Sequence, residues 1–178
     1  MASRTANQVP VWDPVIRVFH WTLVVSLLLN YSILEAGDPP HTWVGYLVLV
    51  LLAVRIVWGF LGPQNARFRD FWPTADRLRR CVQQHLRGDH PSPDRHNPLG
   101  GLMILALLTG VLLTGITGWL LTWDMFWGES WLESLHELFA ESVMTLACVH
   151  VVVVFLLSKF GPHNLIRTML TGYREEPR

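Results

Sequence analysis

The chain has 178 residues, of which 51% are hydrophobic and only 16% are charged, whereas soluble domains average about 25% charged residues. This composition excludes a disordered chain, which needs low hydrophobicity and high charge, and the two cysteines exclude a disulfide scaffold. Lys+Arg and Asp+Glu balance at 14 each, so the chain lacks the basic surplus of a nucleic-acid binder, and we expect no nucleic-acid partner.

Four long apolar segments follow one another along the chain, and each has the ~20 residues that a helix needs to cross the ~30 Å core of a lipid bilayer. The predicted spans cover residues 15–34, 41–61, 98–122 and 131–158. The fourth is the weakest by hydropathy, because Glu133, Glu137 and Glu141 lie in its first half. Buried helices of a soluble protein are the alternative for any one segment. Four in so short a chain instead predict an all-α membrane protein, with a bundle of four transmembrane helices in one domain of residues 1–178.

The positive charges predict the orientation of the bundle. Lys and Arg occur in the N-terminal region through Arg17, in the loop at 62–97 and in the tail from Lys159, with Arg55 as the one exception. The other two loops hold only acidic residues: Glu35, Asp38, Asp124 and Glu129. By the positive-inside rule, both termini and the long loop are therefore cytoplasmic.

The long cytoplasmic loop contains one further predicted element. Leu78, Cys81 and Val82 share one face of a helix over residues 74–87, and arginines occupy the rest. This pattern favours an amphipathic helix at the membrane interface, while a solvated basic loop remains an equal alternative. Residues 88–98 are rich in Pro and Asp and indicate a connector.

Four of the eight histidines lie within or at the ends of the apolar segments: His20, His41, His136 and His150. Ionisable side chains at such depth are costly, so their default interpretation is functional, although any one of them could instead hydrogen-bond between helices. His136 and His150 are 14 positions apart, which corresponds to about 21 Å of rise and to within about 40° of a common face. The predicted topology sorts the four into an inner pair, His20 and His150, and an outer pair, His41 and His136.

Two stacked pairs of imidazoles in a four-helix bundle are the arrangement that two b-type haems need, with His20 and His150 on the inner iron and His41 and His136 on the outer iron. Zinc fits less well, because neither pair supplies four nitrogen or sulfur ligands. An iron that is six-coordinate has no open site for oxygen, which favours electron transfer.

Two other features of the spans bear on this hypothesis. Arg55 lies 14 positions after His41, so it falls on roughly the same face, one layer further in. We expect it to be the counter-ion of propionates of the inner haem; snorkelling to the cytoplasmic interface is the alternative. The third span is dense in small residues, which permit close contact of helices or of a flat macrocycle.

A series of motifs identifies a family resemblance over about residues 11 to 173. They read, in order, VWDPVIRVFHW, HTWVGY, RIVWGFLGP, ARFRDF, HNPLGGLM, LHE, VHVVVV and NLIRTMLTG. They resemble the bacterial cytochrome b561 and nickel-iron hydrogenase cytochrome b subunit superfamily. The resemblance implies a di-haem cytochrome b of the bacterial inner membrane that exchanges electrons with quinone. It also implies haem ligands on helices one, two and four, which carry over to the four histidines above.

We therefore predict a di-haem cytochrome, with two haem b, that transfers electrons across the lipid bilayer between a periplasmic cytochrome c or metalloenzyme and the quinone pool. By resemblance to the hydrogenase subunits, quinone is expected near the inner haem. Candidate quinone contacts there are Arg17, Arg55, His163 and Asn164. A superoxide:quinone oxidoreductase is the alternative that would make the chain an enzyme, although the acidic outer loops disfavour an anionic substrate. A haem-free assembly or transport subunit is the third alternative.

Overall fold

The computed structural model describes residues 8–86 and 98–175. Its elements are, in chain order, β1 (Gln8–Pro10), α1 (Pro14–Ser32), α2 (Pro39–Leu61), α3 (Phe68–Phe71), α4 (Ala75–Leu86), α5 (Pro98–Leu120), α6 (Ser130–Phe160), α7 (Leu165–Thr171) and β2 (Tyr173–Glu175). Two single-turn 3-10 helices, Gln64–Ala66 and Asp124–Phe126, lie in the loops. Four helices, α1, α2, α5 and α6, are long and apolar enough to cross a membrane. The predicted membrane fold with four transmembrane helices is therefore confirmed.

Capping residues and prolines set where the spans begin. Asp13 precedes α1, and its Oδ1 accepts hydrogen bonds from the backbone N–H groups of Val15 (2.9 Å) and Ile16 (3.1 Å). Such a cap satisfies donors that the first helical turn leaves unpaired. Prolines occupy the first turns of α1 and α2, where a missing N–H costs nothing. The spans consequently start within two residues of the positions that the apolar pattern indicates.

The spans pack in the order of the chain. Among the described residues, the extensive contacts between spans join α1 with α2, α2 with α5, and α5 with α6. A buried apolar cluster lies where they meet, formed by Phe19, Val48, Leu52, Val111 and Val143. Val143 lies midway between His136 and His150, seven positions from each. Two helical turns bring these three residues to nearly the same face, so the apolar cluster separates the two histidine layers.

Both ends of the described chain lie at one end of the bundle, called the terminal end below. β1 and β2 pair as antiparallel strands, with Val9 opposite Arg174. The N–H groups of Val11 and Trp12 also donate to the carbonyl of Gly172 (2.9 and 3.2 Å). A guanidinium nitrogen of Arg17, Nη2, donates to the carbonyl of Leu170 at the end of α7. The sequence patterns did not indicate this small sheet or α7.

A helix, α4, occupies Ala75–Leu86 within the predicted range of 74–87 and contacts α5. Cys81 is buried on one side of α4, whereas Arg77 and Arg79 are exposed. The loop is therefore a packed amphipathic helix over this stretch. The predicted connector, Arg87 and Arg95 within the loop, and Arg4 and Arg178 near the ends, lie outside the described residues.

Candidate functional site

The histidines of the outer pair face each other at the end of the bundle opposite the terminal end. His41 lies in the first turn of α2 and His136 in the second turn of α6. Their ring centroids are 6.3 Å apart and the ring planes make an angle of 71°. The two rings come from helices that are not neighbours in the packing order, so no close helix interface closes the space between them.

The His136 ring is held by α5. Its Nδ1 lies 3.0 Å from the carbonyl oxygen of Thr114 and 3.1 Å from the hydroxyl of Thr117, which is itself buried. A carbonyl oxygen only accepts hydrogen bonds, so this contact assigns the proton to Nδ1 and leaves the lone pair on Nε2. Neutral imidazole in this state is the form that ligates a metal.

A cavity opens between the two outer histidines. Most of its lining is apolar, and it includes three glycines. A Cβ added at Gly118 would lie 2.9 Å from Cε1 of His136, whereas one added at Gly45 would meet nothing within 4 Å. The glycine at 118 therefore allows α5 to approach the ring, and the glycine at 45 leaves one wall of the cavity open. Its polar lining comes from Asn30, Tyr31, Thr42, Tyr46, Thr114 and Trp119.

His41 lacks the hydrogen-bond acceptor at Nδ1 that His136 has among the described residues. Its Nδ1 is buried and has no hydrogen-bond partner among the described residues. The nearby amide of Asn30 donates from Nδ2 to the His41 backbone carbonyl at 3.3 Å. The amide oxygen of Asn30, Oδ1, is also buried without a partner in the described part of the chain.

The inner pair lies on α1 and α6, toward the terminal end. The His20 ring lies close enough to His150 for the two side chains to interact electrostatically, and it makes an edge contact with Trp21 at 5.1 Å between centroids. Both imidazoles are half-buried. Nδ1 of His20 is buried and unpaired within residues 8–86 and 98–175. Each histidine layer thus combines two imidazoles from two helices that do not pack closely on each other.

Arg55 is buried, with 6% of its surface exposed. Its guanidinium carbon lies 4.7 Å from the centroid of the Phe68 ring, and its charge interacts with Asp13. The same carboxylate accepts a hydrogen bond from Nε1 of Trp58 at 3.3 Å. Nη1 of Arg55 has no partner among the described residues. A buried cation with an unused donor is therefore available at the terminal end.

The other three predicted quinone contacts are at the same end, and two of them have local partners. Asn164 caps α7, since its Oδ1 accepts from the N–H of Arg167 at 2.8 Å. Arg17 holds the end of α7 through Leu170. His163 is half-buried in the turn between α6 and α7. The structure gathers these residues around α7 and places Arg55 beside Asp13.

Several contacts of the site had no signal in the sequence. The carbonyl of Thr114 belongs to a backbone, so no residue type reveals that it meets His136. Asp13 and Trp58 lie 45 positions apart in the chain, so no local pattern reveals their contact. Asn30 is a polar residue in an apolar span, and its residue type alone does not reveal that it meets the backbone of His41.

The donor set of each layer fits a haem that would be held by two histidines. In residues 8–86 and 98–175, no three His, Cys, Asp or Glu side chains converge as a metal site would need, so each layer has its two imidazoles. The two rings of the outer pair lie close enough for one metal ion to be held by both, because their centroids are 6.3 Å apart and a metal–imidazole bond is about 2 Å long.

A model of the family described as prokaryotic cytochrome b561 matches residues 11–172. The matched segment contains all four spans and all four histidines of the two layers. No curated protein and no solved structure shows a significant match to the chain.

Proposed function

Because the chain belongs to the prokaryotic cytochrome b561 family, which makes it a membrane-bound b-type cytochrome of electron transfer, we propose that it carries electrons across the bilayer through two haem b groups. His41 and His136 would hold the outer haem, and His20 and His150 the inner one. The electrons would pass between a periplasmic redox protein and the quinone pool of the bacterial inner membrane.

One observation carries the proposal: the outer histidines face each other across a cavity at 6.3 Å. Haem b supplies reversible one-electron chemistry when bound. The protein contributes the ligand orientation, because Thr114 holds His136 with Nε2 available. It also contributes the spacing, since 14 residues between His136 and His150 correspond to about 21 Å of helix.

The charge distribution supports the assignment of the two faces. Exposed acidic residues lie at the end that carries the outer pair: Glu35, Asp38, Asp124, Glu129, Glu133 and Glu137. Such a surface attracts a basic protein and repels a small anion. It therefore favours a basic redox partner, a cytochrome c or a metalloenzyme, over superoxide as the electron donor.

Quinone exchange is assigned to the terminal end on chemical grounds. Arg55 remains our candidate counter-ion for an inner propionate, since it is buried with an unpaired Nη1. Arg17, His163 and Asn164 stay candidate contacts of the quinone ring, as they border the same end. A histidine at an interface suits the proton exchange that quinone chemistry requires.

The number of haems is tested by the ratio of haem to protein in purified wild type and single variants. We expect a ratio of about two in the wild type, since two imidazole pairs are available. His136→Ala and His20→Ala should each lower the ratio by about one. His163→Ala is the matched control and should leave it unchanged. A wild-type ratio near one would mean that only one of the two histidine pairs holds a haem. The absence of a Soret band would favour the haem-free alternative.

The location of the outer haem is tested by filling the cavity. A Cβ added at Gly45 meets no protein atom within 4 Å, so the new side chain of Gly45→Leu should start into open space, and the variant should fold and yet displace the haem. Ala53→Leu, on the exposed side of the same helix, should retain both haems. Full haem content in Gly45→Leu would show that this cavity is not the site.

A further inference from the structure

The two histidines of the outer pair differ in how their second ring nitrogen is satisfied. Nδ1 of His136 meets the Thr114 carbonyl at 3.0 Å, whereas Nδ1 of His41 is buried and unpaired among the described residues. A histidine that ligates a metal usually donates its other N–H to an acceptor, which fixes the ring and raises the basicity of the ligand. His41 therefore needs an acceptor that the structure has not yet brought into contact.

Asn30 carries a suitable acceptor, its amide oxygen Oδ1. It lies near the end of α1, lines the same cavity as His41, and donates from Nδ2 to the His41 backbone carbonyl at 3.3 Å. This contact leaves Oδ1 as the unused half of the amide, and Oδ1 is buried without a partner in the described residues. One unpaired nitrogen and one unpaired acceptor thus lie on two residues that already touch.

We propose that Oδ1 of Asn30 accepts the hydrogen bond of His41 Nδ1 when the outer haem is bound, so that Asn30 is a positioning residue of that haem. This inference rests on the proposed function. With iron on Nε2, Nδ1 carries the proton and is a donor, which the amide oxygen matches. In the bound state the His41 ring would turn so that Nδ1 meets Oδ1, while the bond from Nδ2 keeps the amide in place.

The hydrogen bond has an electronic consequence. An acceptor on Nδ1 makes the imidazole a stronger donor to iron, and a more basic ligand stabilises the oxidised state. Asn30 should therefore lower the midpoint potential of the outer haem. The inner haem should not be affected, because His20 and His150 belong to the other layer.

The test measures both midpoint potentials by spectroelectrochemistry in the full-length protein. Asn30→Leu removes the acceptor and keeps a similar side-chain volume. In this variant the midpoint potential of the outer haem should rise, and that of the inner haem should stay at its wild-type value. In Asn30→Asp, which offers a stronger acceptor, the outer potential should fall. His41→Ala, which removes the outer ligand, identifies which of the two potentials belongs to the outer haem.

Ser26→Ala is the matched control. Ser26 is buried one turn earlier on the same helix and does not line the cavity, so both potentials should stay at their wild-type values. The proposal is overturned if neither Asn30 variant moves the outer potential, or if both move it in the same direction. If Asn30→Leu does not assemble, the direction of the shift in Asn30→Asp decides.

The haem count separates this inference from the proposed function. A wild-type protein without two haems would contradict the function itself. Two haems, with an outer midpoint potential that is the same in the wild type and in both Asn30 variants, would contradict only the role of Asn30. The low-spin ferric signal in electron paramagnetic resonance is a second readout, since it should change with the strength of the His41 ligand and not with helix packing alone.

Discussion

His136 shows how neighbouring groups fix the orientation of a single side chain. Thr114 and Thr117 contact Nδ1 from one side, and the glycine at position 118 lets the helix backbone approach the ring. The ring therefore has little freedom to rotate, and its Nε2 remains available as a lone-pair donor. Orientation before binding reduces the ordering cost of the bound state.

Replacing Gly118 tests this arrangement. A Cβ there would lie 2.9 Å from Cε1 of His136, a distance that requires the ring or the helix to move. Gly118→Val should therefore lower the haem ratio by about one, as measured by pyridine haemochrome assay against protein concentration. Leu113→Val, at an exposed position of the same helix, should have no effect. Two haems in Gly118→Val would mean that the ring is not held in this position.

Asp13 stabilises the beginning of α1. The carboxylate caps the helix through Val15 and Ile16 and accepts a hydrogen bond from Trp58 of α2. Helix start and helix pairing therefore depend on one side chain. His20 lies seven residues later in the chain, so the cap also sets the position of one histidine of the inner pair.

The cap predicts a difference between two variants of Asp13. Asn is as good an N-cap as Asp, whereas Ala has no acceptor and costs about 1 kcal/mol. Asp13→Ala should lower the melting temperature measured by scanning fluorimetry in detergent, and Asp13→Asn should stay closer to wild type. Equal losses in the two variants would show that the charge of the carboxylate, rather than its cap bonds, stabilises this end.

The whole molecule is electrically polarised, although its net charge is zero. Arginines of α4 and the adjacent loop lie toward the terminal end, and the exposed charged residues of the loops that follow α1 and α5 at the other end are acidic. The pairing of β1 with β2 brings both ends of the described chain to one side of the bundle. The direction of the bundle in the membrane follows from the positive-inside rule and remains a prediction.

Cysteine labelling tests that direction. In a background without the two native cysteines, Met125→Cys lies at an exposed position of the acidic end, and Ala75→Cys at an exposed position of α4. A membrane-impermeant maleimide should label Met125→Cys in spheroplasts, because that end is predicted to face the periplasm. Ala75→Cys should react only after the membrane is opened. The reverse labelling pattern would mean that the bundle has the opposite orientation in the membrane and that the proposed faces of the two haems are exchanged.

The sequence by itself determined the features that repeat along single helices. Apolar segments of sufficient length revealed the four spans, and rise and rotation per residue related His136 to His150 and His41 to Arg55 along their helices. The motifs revealed the family, which the match over residues 11–172 confirms. These properties are local, because a helix places each residue by its own periodicity.

Only the tertiary structure decided which groups meet across helices. The carbonyl of Thr114 at His136, the amide of Asn30 at His41, and the strand pair that joins the two ends each connect residues of different elements. Backbone carbonyls look alike in every residue, and a short strand of three residues has no periodicity to read. Such contacts depend on the relative rotation and depth of packed helices, which all the side chains of an interface set together.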